Sequence, residues 1–270
     1  MRRTRGATAR GGSIPAMPSV AQLSIAPVRS LGLQHPTEID VTEVGVVEDR
    51  RFFLSDDHNR LVDRIVVGRL VQVEARTDPG ATRLWMRFPD GTVIEDEVRL
   101  GESIETPIHG RTGVGKVVIG PWGGALAEIA GRPIRVIRCD NPGGTRRGNP
   151  TSIVSDGSLQ ELAKHAGVDA VDGRRFRMLI NLAGAQPHEE DTWIGRRVTV
   201  GDAILRVLKP DARCAITTQD PDTGARDLDT LRTIIGYRGL REGKHADFGV
   251  LADVERPGRI RVGDEVSAID

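Results

Sequence analysis

Cysteine is scarce in this sequence: Cys139 and Cys214 are the two thiols among 270 residues. Two thiols cannot supply the four ligands of a Cys₄ zinc site, or of an iron–sulfur cluster made within one chain. The six histidines are scattered, and the stretch HEEDT that begins at His188 lacks the second histidine of an H-E-x-x-H zinc motif. No familiar metal motif is present, and nothing indicates the oxidising compartment that a structural disulfide needs.

Net charge and long apolar runs are also lacking. Thirty-eight basic side chains balance 38 acidic ones, so no overall field attracts nucleic acid or an anionic membrane. No apolar run approaches the ~20 residues that a membrane helix needs. We therefore expect a cytoplasmic protein that binds neither nucleic acid nor a membrane.

The first 37 residues contain no Asp or Glu, and arginines cluster at the very start. A transit peptide or a twin-arginine signal has this composition, but no apolar segment follows the arginines. We predict a disordered tail over residues 1–19, with the targeting signal as the alternative.

Short runs rich in Val and Ile, broken by Gly, Pro and Asp, predict a mainly β protein with a few helices, of the α+β class. We place a β-barrel-like domain at 20–120 and a second β domain at 121–270. Helical spacing predicts helices over 122–130, 156–166 and 227–237. The strand predictions include 22–28, 70–76, 175–183, a strand that ends at Pro210, and a closing hairpin of 247–255 with 258–269.

The stretch GRTGVGKV at 110–117 has the glycine spacing of a phosphate-binding loop. It ends in Val117, however, where such a loop needs Ser or Thr to hold Mg²⁺. We interpret HGRTG at 109–113 as the turn of a β-hairpin. Arg146 and Arg147 lie in a Gly- and Pro-rich stretch, for which we predict a solvated loop, with closure over a substrate or cofactor as the alternative.

Cys214 stands in the segment ARCAITTQDPDTG, residues 212–224. A cation such as Arg213 beside a thiol favours the thiolate, which is both a nucleophile and a soft metal ligand. The following DPDTG has the composition of a tight turn, in which Asp accepts backbone N–H bonds and Gly224 adopts a positive φ. This context favours a functional thiolate over the alternative, a small buried cysteine that fills space.

The longer segment KPDARCAITTQDPDTG resembles the signature of MOSC domains, the fold shared by the C-terminal part of molybdenum cofactor sulfurases and by the amidoxime-reducing proteins. Other segments agree in the expected order: IAPVRSL, VVEDRRFFL, NPTSIVSDGSLQEL and VERPGRIRVGDEV. The resemblance covers nearly all of residues 20–270. It implies a MOSC β-barrel over 121–270, preceded by the β-barrel domain that accompanies it in this subfamily.

The resemblance also implies a molybdenum–pterin cofactor (molybdopterin), with Cys214 as the thiolate ligand of the metal. The phosphate of a pterin calls for arginine, which pairs with its oxygens bidentately. The cofactor contacts that the resemblance implies are Arg29, Ser30, Arg50, Thr151, Ser152, Ser155, Arg177, Asn181, Arg213 and Thr217.

Asp220 is a second candidate catalytic residue, expected near the metal. Four positions depart from the family's pattern: Arg29 stands where the family usually has Lys, Met178 and Leu179 replace Pro and a cofactor-facing Asn, and Ala212 replaces a Ser. Side chains alternate along a strand, so a strand over 175–183 puts Asn181 on the same face as Leu179. Asn181 then substitutes for the missing Asn, with loss of that contact as the alternative.

The implied activity is a two-electron reduction of N-hydroxylated or N-oxide-type small molecules. Since no iron–sulfur or flavin motif is visible, the electrons are expected from a separate protein. Two alternatives stay open. Cys214 can instead carry a persulfide for the maturation of a metal cofactor, or the chain is a cofactor-free binding module that has lost catalysis.

Overall fold

The structure, a computed structural model, describes residues 17–146 and 148–270. Residues 1–16 of the predicted tail lie outside the described residues, as does Arg147. The described residues form sixteen strands and three α-helices. The predicted fold class, mainly β with a few helices, is confirmed.

The strands are β1 (Ser19–Leu23), β2 (Glu38–Val41), β3 (Phe52–Ser55), β4 (Glu74–Thr77), β5 (Arg83–Arg87), β6 (Val93–Glu97), β7 (Arg99–Ile108), β8 (Arg111–Ile119), β9 (Arg135–Cys139), β10 (Thr151–Ser155), β11 (Ile180–Ala183), β12 (Arg197–Val200), β13 (Ala203–Ala212), β14 (Asp247–Arg256), β15 (Gly258–Arg261) and β16 (Val266–Ile269). The helices are α1 (Trp122–Ala130), α2 (Asp156–Ala166) and α3 (Thr230–Arg238).

A seven-stranded sheet in the order β1-β11-β10-β14-β13-β12-β16 forms a nearly closed barrel. An antiparallel bridge between Ser19 and Glu265 links the two end strands. Beside it, the amide of Val20 donates to the carbonyl of Asp264 over 2.9 Å. The barrel interior is packed with Val, Ile and Leu side chains from both ends of the chain, so closure removes exposed sheet edges and buries one continuous core.

A second core lies between a four-stranded sheet (β3-β9-β8-β7), a three-stranded sheet (β4-β5-β6) and α1. Phe52, Leu84 and Trp122 are fully buried there. The predicted hairpin around HGRTG is confirmed, since β7 and β8 pair up to Ile108 and Arg111.

The first two strands belong with the C-terminal barrel, although they precede the predicted boundary. β1 pairs antiparallel with β11, and β2 pairs antiparallel with β15. The division at residue 120 stays a prediction, but the hydrogen bonding of these strands crosses it.

The predicted helices over 122–130 and 156–166 are confirmed in full, and the third begins at Thr230 rather than 227. The Oγ of Ser155 accepts from the amide of Ser158 and thereby caps α2, and Gly167 ends this helix at φ 70°. No helix in the described part of the chain is long and apolar enough to cross a membrane.

Three strand predictions are wrong in extent. The stretch 22–28 continues as strand only to Leu23, and 70–76 begins inside a 3₁₀ turn, Gly68–Gln72. The stretch 175–183 is interrupted, because a 3₁₀ turn at Gly173–Phe176 is followed by Arg177 in the left-handed region at φ 53°. A left-handed residue redirects the chain, so the strand starts only at Ile180.

Two further strand predictions are wrong: one concerns where a strand ends, and the other concerns which strands pair. β13 runs past Pro210 to Ala212, because the register shifts between these residues and a bulge tolerates the missing proline N–H. The closing hairpin does not form either. Only Pro257 separates β14 from β15, which is too short for a hairpin loop, and β15 pairs with β2 instead.

The barrel core predicts a contrast within β13. Leu205 is fully buried in the barrel, whereas Leu208 on the same strand is 40% exposed. We expect Leu205→Ala to lower the free energy of unfolding by about 2–5 kcal/mol, since it removes buried methyl groups and leaves a cavity. Leu208→Ala is the matched control and should change it little. Urea denaturation measures both, and equal losses would contradict the core position of Leu205.

Candidate functional site

A cavity opens between the barrel and the N-terminal sheets. One wall comes from the segments after β1, before and after β3, and at the β7–β8 turn: Arg29, Ser30, Asp49, Arg50, Arg64 and His109. The other comes from the segments before β10 and β11 and at the end of β13: Arg146, Asn149, Pro150, Ser152, Phe176, Arg177, Met178, Leu179, Asp211, Ala212, Arg213, Cys214, Ile216 and Leu251.

The backbone is strained where it lines this cavity. Ser30, Arg50, His109 and Arg177 all have positive φ, between 45° and 78°. Such conformations are uncommon for residues other than glycine and cost of order 1–3 kcal/mol each. Their concentration around one cavity is typical of a binding or catalytic site.

Cys214 lines the cavity at the point where β13 ends and the 3₁₀ turn Ala215–Thr218 begins. Its thiol is free and the residue is half-buried. The backbone amide and the Oγ1 of Thr217 each donate to the carbonyl of Cys214 over 3.1 Å. The hydroxyl of Thr230 in turn donates to Thr217 Oγ1 over 2.7 Å. The thiol therefore sits on a fixed backbone and faces an open, polar cavity rather than an aliphatic core.

Two aspartates neutralise part of the positive charge. The carboxylate of Asp49 pairs with Arg50 and accepts from the Nε of Arg146 over 3.2 Å. Burial raises the pKa of Asp49, but the charges of Arg50 and Arg146 outweigh it and hold this pKa below its usual range. Asp211 likewise pairs with Arg213. Arg146 is thus a buried ion-pair partner, and the predicted solvated loop is wrong for it.

Three arginines of the cavity have no such carboxylate contact in the described part of the chain: Arg29, Arg64 and Arg177. Burial, with the charge of Arg50, lowers the pKa of Arg29 to about 10. Burial and the charge of Arg175 lower the pKa of Arg64 to about 10. Burial and the charge of Arg64 lower the pKa of Arg177 well below its usual range. The cavity therefore concentrates buried positive charge.

Several N–H groups of the cavity arginines, including Arg213, have no hydrogen-bond acceptor among the described residues. Among residues 17–146 and 148–270, no acceptor bonds to Arg29 Nε, to Nη1 and Nη2 of Arg64, to Arg177 Nη1 or to Arg213 Nε. A buried donor without a partner costs about 1–3 kcal/mol, and more when it is charged. These arginines leave positive charge beside the cavity without a full set of acceptors, and arginine pairs readily with phosphate oxygens, so the residues present fit a phosphate-bearing ligand.

The structure brings seven of the predicted site residues to one cavity: Arg29, Ser30, Arg50, Ser152, Arg177, Arg213 and Cys214. One detail differs. The guanidinium of Arg213 is held by Asp211 and by the carbonyl of Phe176. Arg29 and Arg64 also interact electrostatically with Cys214.

Four other predicted contacts do not line the cavity, because they are engaged elsewhere. The hydroxyl of Thr151 donates to the carbonyl of Ala252 over 2.7 Å. The Ser155 hydroxyl donates to Oε2 of Glu190 over 2.7 Å and caps α2. Thr217 holds the backbone of Cys214, as described above. Asn181 Nδ2 donates to Gln22 Oε1 over 3.3 Å.

The predicted shared face of Leu179 and Asn181 is therefore wrong. Leu179 lies in the segment before β11 and lines the cavity, whereas Asn181 lies within β11 and contacts β1. The alternation rule does not apply to the two, since the chain between Arg177 and Ile180 is not extended strand.

Asp220 does not line the cavity either. Its carboxylate accepts from the amide of Thr223 over 2.7 Å and from the Thr223 hydroxyl over 2.8 Å, so it stabilises the predicted DPDTG turn. Burial raises its pKa, but these hydrogen bonds hold the pKa below its usual range. A carboxylate held in this way is a weak proton donor near neutral pH.

Arg64 and His109 are among the cavity residues that sequence reasoning missed. His109 stands at the tip of the β7–β8 hairpin, and its Nε2 lies 3.6 Å from Oδ2 of the buried Asp63. The sequence marked this histidine only as part of a turn. Arg64 follows Asp63 in a stretch without any motif, so nothing local indicated its burial.

The fold and the cavity define a class: a nearly closed β-barrel that presents a partly exposed thiol to buried arginines. The sequence profile described as the MOSC domain matches residues 130–267, just over half of the chain. The chain belongs to the MOSC domain family, and the resemblance read from the segment around Cys214 is confirmed.

Named relatives fall in the same family. The chain is 35% identical to mitochondrial amidoxime-reducing component 1 of Mus musculus over 125 residues, which are 44% of this chain and 36% of the mouse protein. It is 25% identical to the human component 1 over 283 residues, which cover 92% of this chain and 82% of that protein. The first alignment thus spans about a third of the mouse protein. Among solved structures, the YUAD protein from Bacillus subtilis matches with a TM-score of 0.46 and 14% identity, over 93% of this chain and 94% of that one.

The two cysteines should differ sharply in reactivity. Cys139 is 1% exposed, and burial raises the pKa of its thiol to about 11. In chain produced without molybdenum, we expect iodoacetamide to label Cys214 and to leave Cys139 unlabelled until the protein is denatured. Peptide mass spectrometry identifies the labelled residue. In Cys214→Ser no native labelling should remain, and labelling of both thiols at equal rates would contradict the cavity assignment.

Proposed function

We propose that this protein is a molybdenum–pterin-binding oxidoreductase that reduces N-hydroxylated or N-oxide-type small molecules. One observation carries the proposal: Cys214 lines a cavity with the buried Arg64 and the partly buried Arg29 and Arg177, none of which contacts a carboxylate in the part of the chain that the structure describes. A soft thiolate beside unpaired guanidinium groups suits a ligand that combines a soft metal with an anionic organic part. The family membership and the names of the amidoxime-reducing relatives support the same reading.

The chain offers donors for each part of such a cofactor. Cys214 Sγ is the ligand for the metal. Arg29, Arg50 and the hydroxyl of Ser30 are the donors for the phosphate, and Ser152 with Arg177 lies on the opposite wall. When bound, a molybdenum–pterin group supplies the two-electron redox chemistry that removes the oxygen from the substrate nitrogen.

The net reaction sets what the protein itself must provide. Conversion of R–NH–OH to R–NH₂ and water consumes two electrons and two protons. We assign proton delivery to the His109 imidazole, because it lines the cavity and its Nε2 lies 3.6 Å from Oδ2 of Asp63. The apolar side chains of Met178, Leu179 and Leu251 line the same cavity and exclude water from part of it.

We propose that a separate redox protein delivers the electrons, as the absence of flavin and iron–sulfur motifs in the sequence led us to expect. A small molecule is the substrate. The cytoplasmic location stays a prediction, since the relatives reported above carry "mitochondrial" in their names.

Metal analysis tests the proposal. The chain purified from a host that makes the cofactor should carry about one molybdenum per chain, and Cys214→Ser below about a tenth, because the metal loses its thiolate ligand. Cys139→Ala is the matched control and should keep its molybdenum. Wild-type chain that carries no molybdenum when purified from this host would contradict the proposal. If the mass of Cys214 then shows one added sulfur atom, the persulfide carrier takes its place.

The role of His109 gives a separate prediction. His109→Gln should keep the molybdenum content and lower turnover of an N-hydroxylated substrate by roughly a hundredfold, because a general acid is lost. His58→Gln is the control, since His58 is an exposed histidine that also contacts an aspartate, at 3.7 Å. Steady-state rates with dithionite-reduced viologen as electron donor measure both. Equal turnover in the two variants would contradict proton delivery by His109.

A further inference from the structure

We infer that Arg64 and Gly68 are positioning residues for the Cys214 thiol, because they clamp the segment that carries it against the N-terminal part of the chain. Residues 214–224 are called the thiol segment below. The inference deepens the proposed function, and it rests on that function only for what the thiol binds.

Arg64 holds the thiol segment through one side chain, that of Gln219. Arg64 is 1% exposed and Gln219 is 3% exposed. The Nε of Arg64 donates to Gln219 Oε1 over 2.8 Å, and Gln219 Nε2 donates back to the carbonyl of Arg64 over 2.7 Å. Cys214 is the N-cap of the 3₁₀ turn Ala215–Thr218, and Gln219 is its C-cap. The reciprocal pair therefore fixes the end of the turn whose start carries the thiol.

Gly68 meets the other end of the thiol segment, backbone against backbone. A Cβ added to Gly68 would overlap the carbonyl oxygen of Gly224, and a Cβ added to Gly224 would overlap the carbonyl oxygen of Gly68. Only residues without a side chain allow two backbones to approach so closely. Gly224 is also required for its φ of 74°, whereas Gly68 lies outside the left-handed region and is needed for the contact alone.

The thiol segment is closed by its own backbone hydrogen bonds. The amide of Gly224 donates to the carbonyl of Asp220 over 2.9 Å, and the amide of Asp220 donates to the carbonyl of Ala225 over 2.7 Å. At the other end, the amide of Thr217 donates to the carbonyl of Cys214 over 3.1 Å. Because successive turns are bonded in this way, a displacement at Gly224 is transmitted towards Cys214.

The helix α3 holds the same segment independently of the clamp. Thr230 is the first residue of α3, and both it and Thr217 are fully buried. The hydroxyl of Thr230 donates to Thr217 Oγ1 over 2.7 Å. Without the clamp this contact remains, so the thiol segment should keep its fold and lose its fixed position.

Chain produced without molybdenum tests the clamp, with iodoacetamide as the probe of Cys214. In Gly68→Ala the new Cβ displaces Gly224, so native labelling of Cys214 should become about threefold or more faster than in the wild type. Gly124→Ala is the matched control, since a Cβ there meets no atom of the described residues within 4 Å. It should label at the wild-type rate.

A core variant separates positioning from a general loss of stability. Leu205→Ala weakens the barrel core and leaves the clamp intact, so its native labelling rate should equal that of the wild type. Hydrogen exchange gives the second readout: in Gly68→Ala the amides of 214–224 should exchange about tenfold faster relative to those of α2, and in Leu205→Ala this ratio should not change. An equal acceleration in both variants would overturn the inference.

A double-mutant cycle tests the side-chain half of the clamp. Arg64→Met and Gln219→Met each remove both reciprocal hydrogen bonds, so each should speed the labelling of Cys214, and the double variant should label no faster than the quicker single one. Gln219→Glu keeps the acceptor for Arg64 Nε and should label at an intermediate rate. Wild-type labelling rates in folded Gly68→Ala and Gln219→Met would contradict the clamp.

Protein from the cofactor-making host connects the clamp to the proposed metal. Gly68→Ala should lose molybdenum on dialysis about tenfold faster than Gly124→Ala, because its thiolate ligand is no longer held in place. Equal loss from the two variants would show that the clamp does not serve the metal. The labelling and exchange experiments need no cofactor. A wild-type chain without molybdenum would therefore refute the proposed function and leave the positioning of the thiol to be judged by those two readouts.

Discussion

The burial of unpaired arginines is the constraint on which the rest of this site depends. Arg64 is fully buried and Arg29 and Arg177 are partly buried, and none of the three contacts a carboxylate within residues 17–146 and 148–270, a state that the interior of a protein resists. Backbone carbonyls hold them in place: Arg29 Nη1 donates to Thr145 over 2.5 Å and Arg177 Nη2 to Leu31 over 2.8 Å. The two packed cores supply the stability that sustains this arrangement in the folded chain.

The two walls of the site are held together because β1 and β2 pair with strands β11 and β15 from the C-terminal part of the chain. β1 is part of the barrel sheet, and the chain leaves it directly into the segment that carries Arg29 and Ser30. That segment is tied to the other core, since the amide of Arg29 donates to the carbonyl of Phe52 over 2.8 Å. The amide of Arg50 donates to Ala26 over 2.7 Å in the same region. The arginines of one wall are thus held at a defined distance from Cys214 on the other.

Local signals in the sequence predicted what local forces determine. The cap at Ser155 and the glycine after Ala166 define α2 without reference to the rest of the chain, and the hairpin at HGRTG is equally local. The pairing of β15 with β2 joins residues more than 200 positions apart, and no pattern within either strand encodes it. The cavity follows the same division. The signature around Cys214 could be recognised in the sequence because it is local. The burial of Arg64 could not, because it depends on a long-range partner, Gln219.

The replacement of the family's Asn and Ser by Leu179 and Ala212 has to be weighed against the arginines of the same cavity. Both residues line the cavity, so the amide and hydroxyl expected from the family are absent from its wall. Unpaired arginines lower the stability of the folded chain, and a cavity that bound no anion would give them no charged partner. The chain carries three such arginines, two of which interact electrostatically with Cys214. Two neutral contacts fewer than the family's pattern, beside this cationic set, agree with an anion held by altered contacts and argue against a cofactor-free binding module.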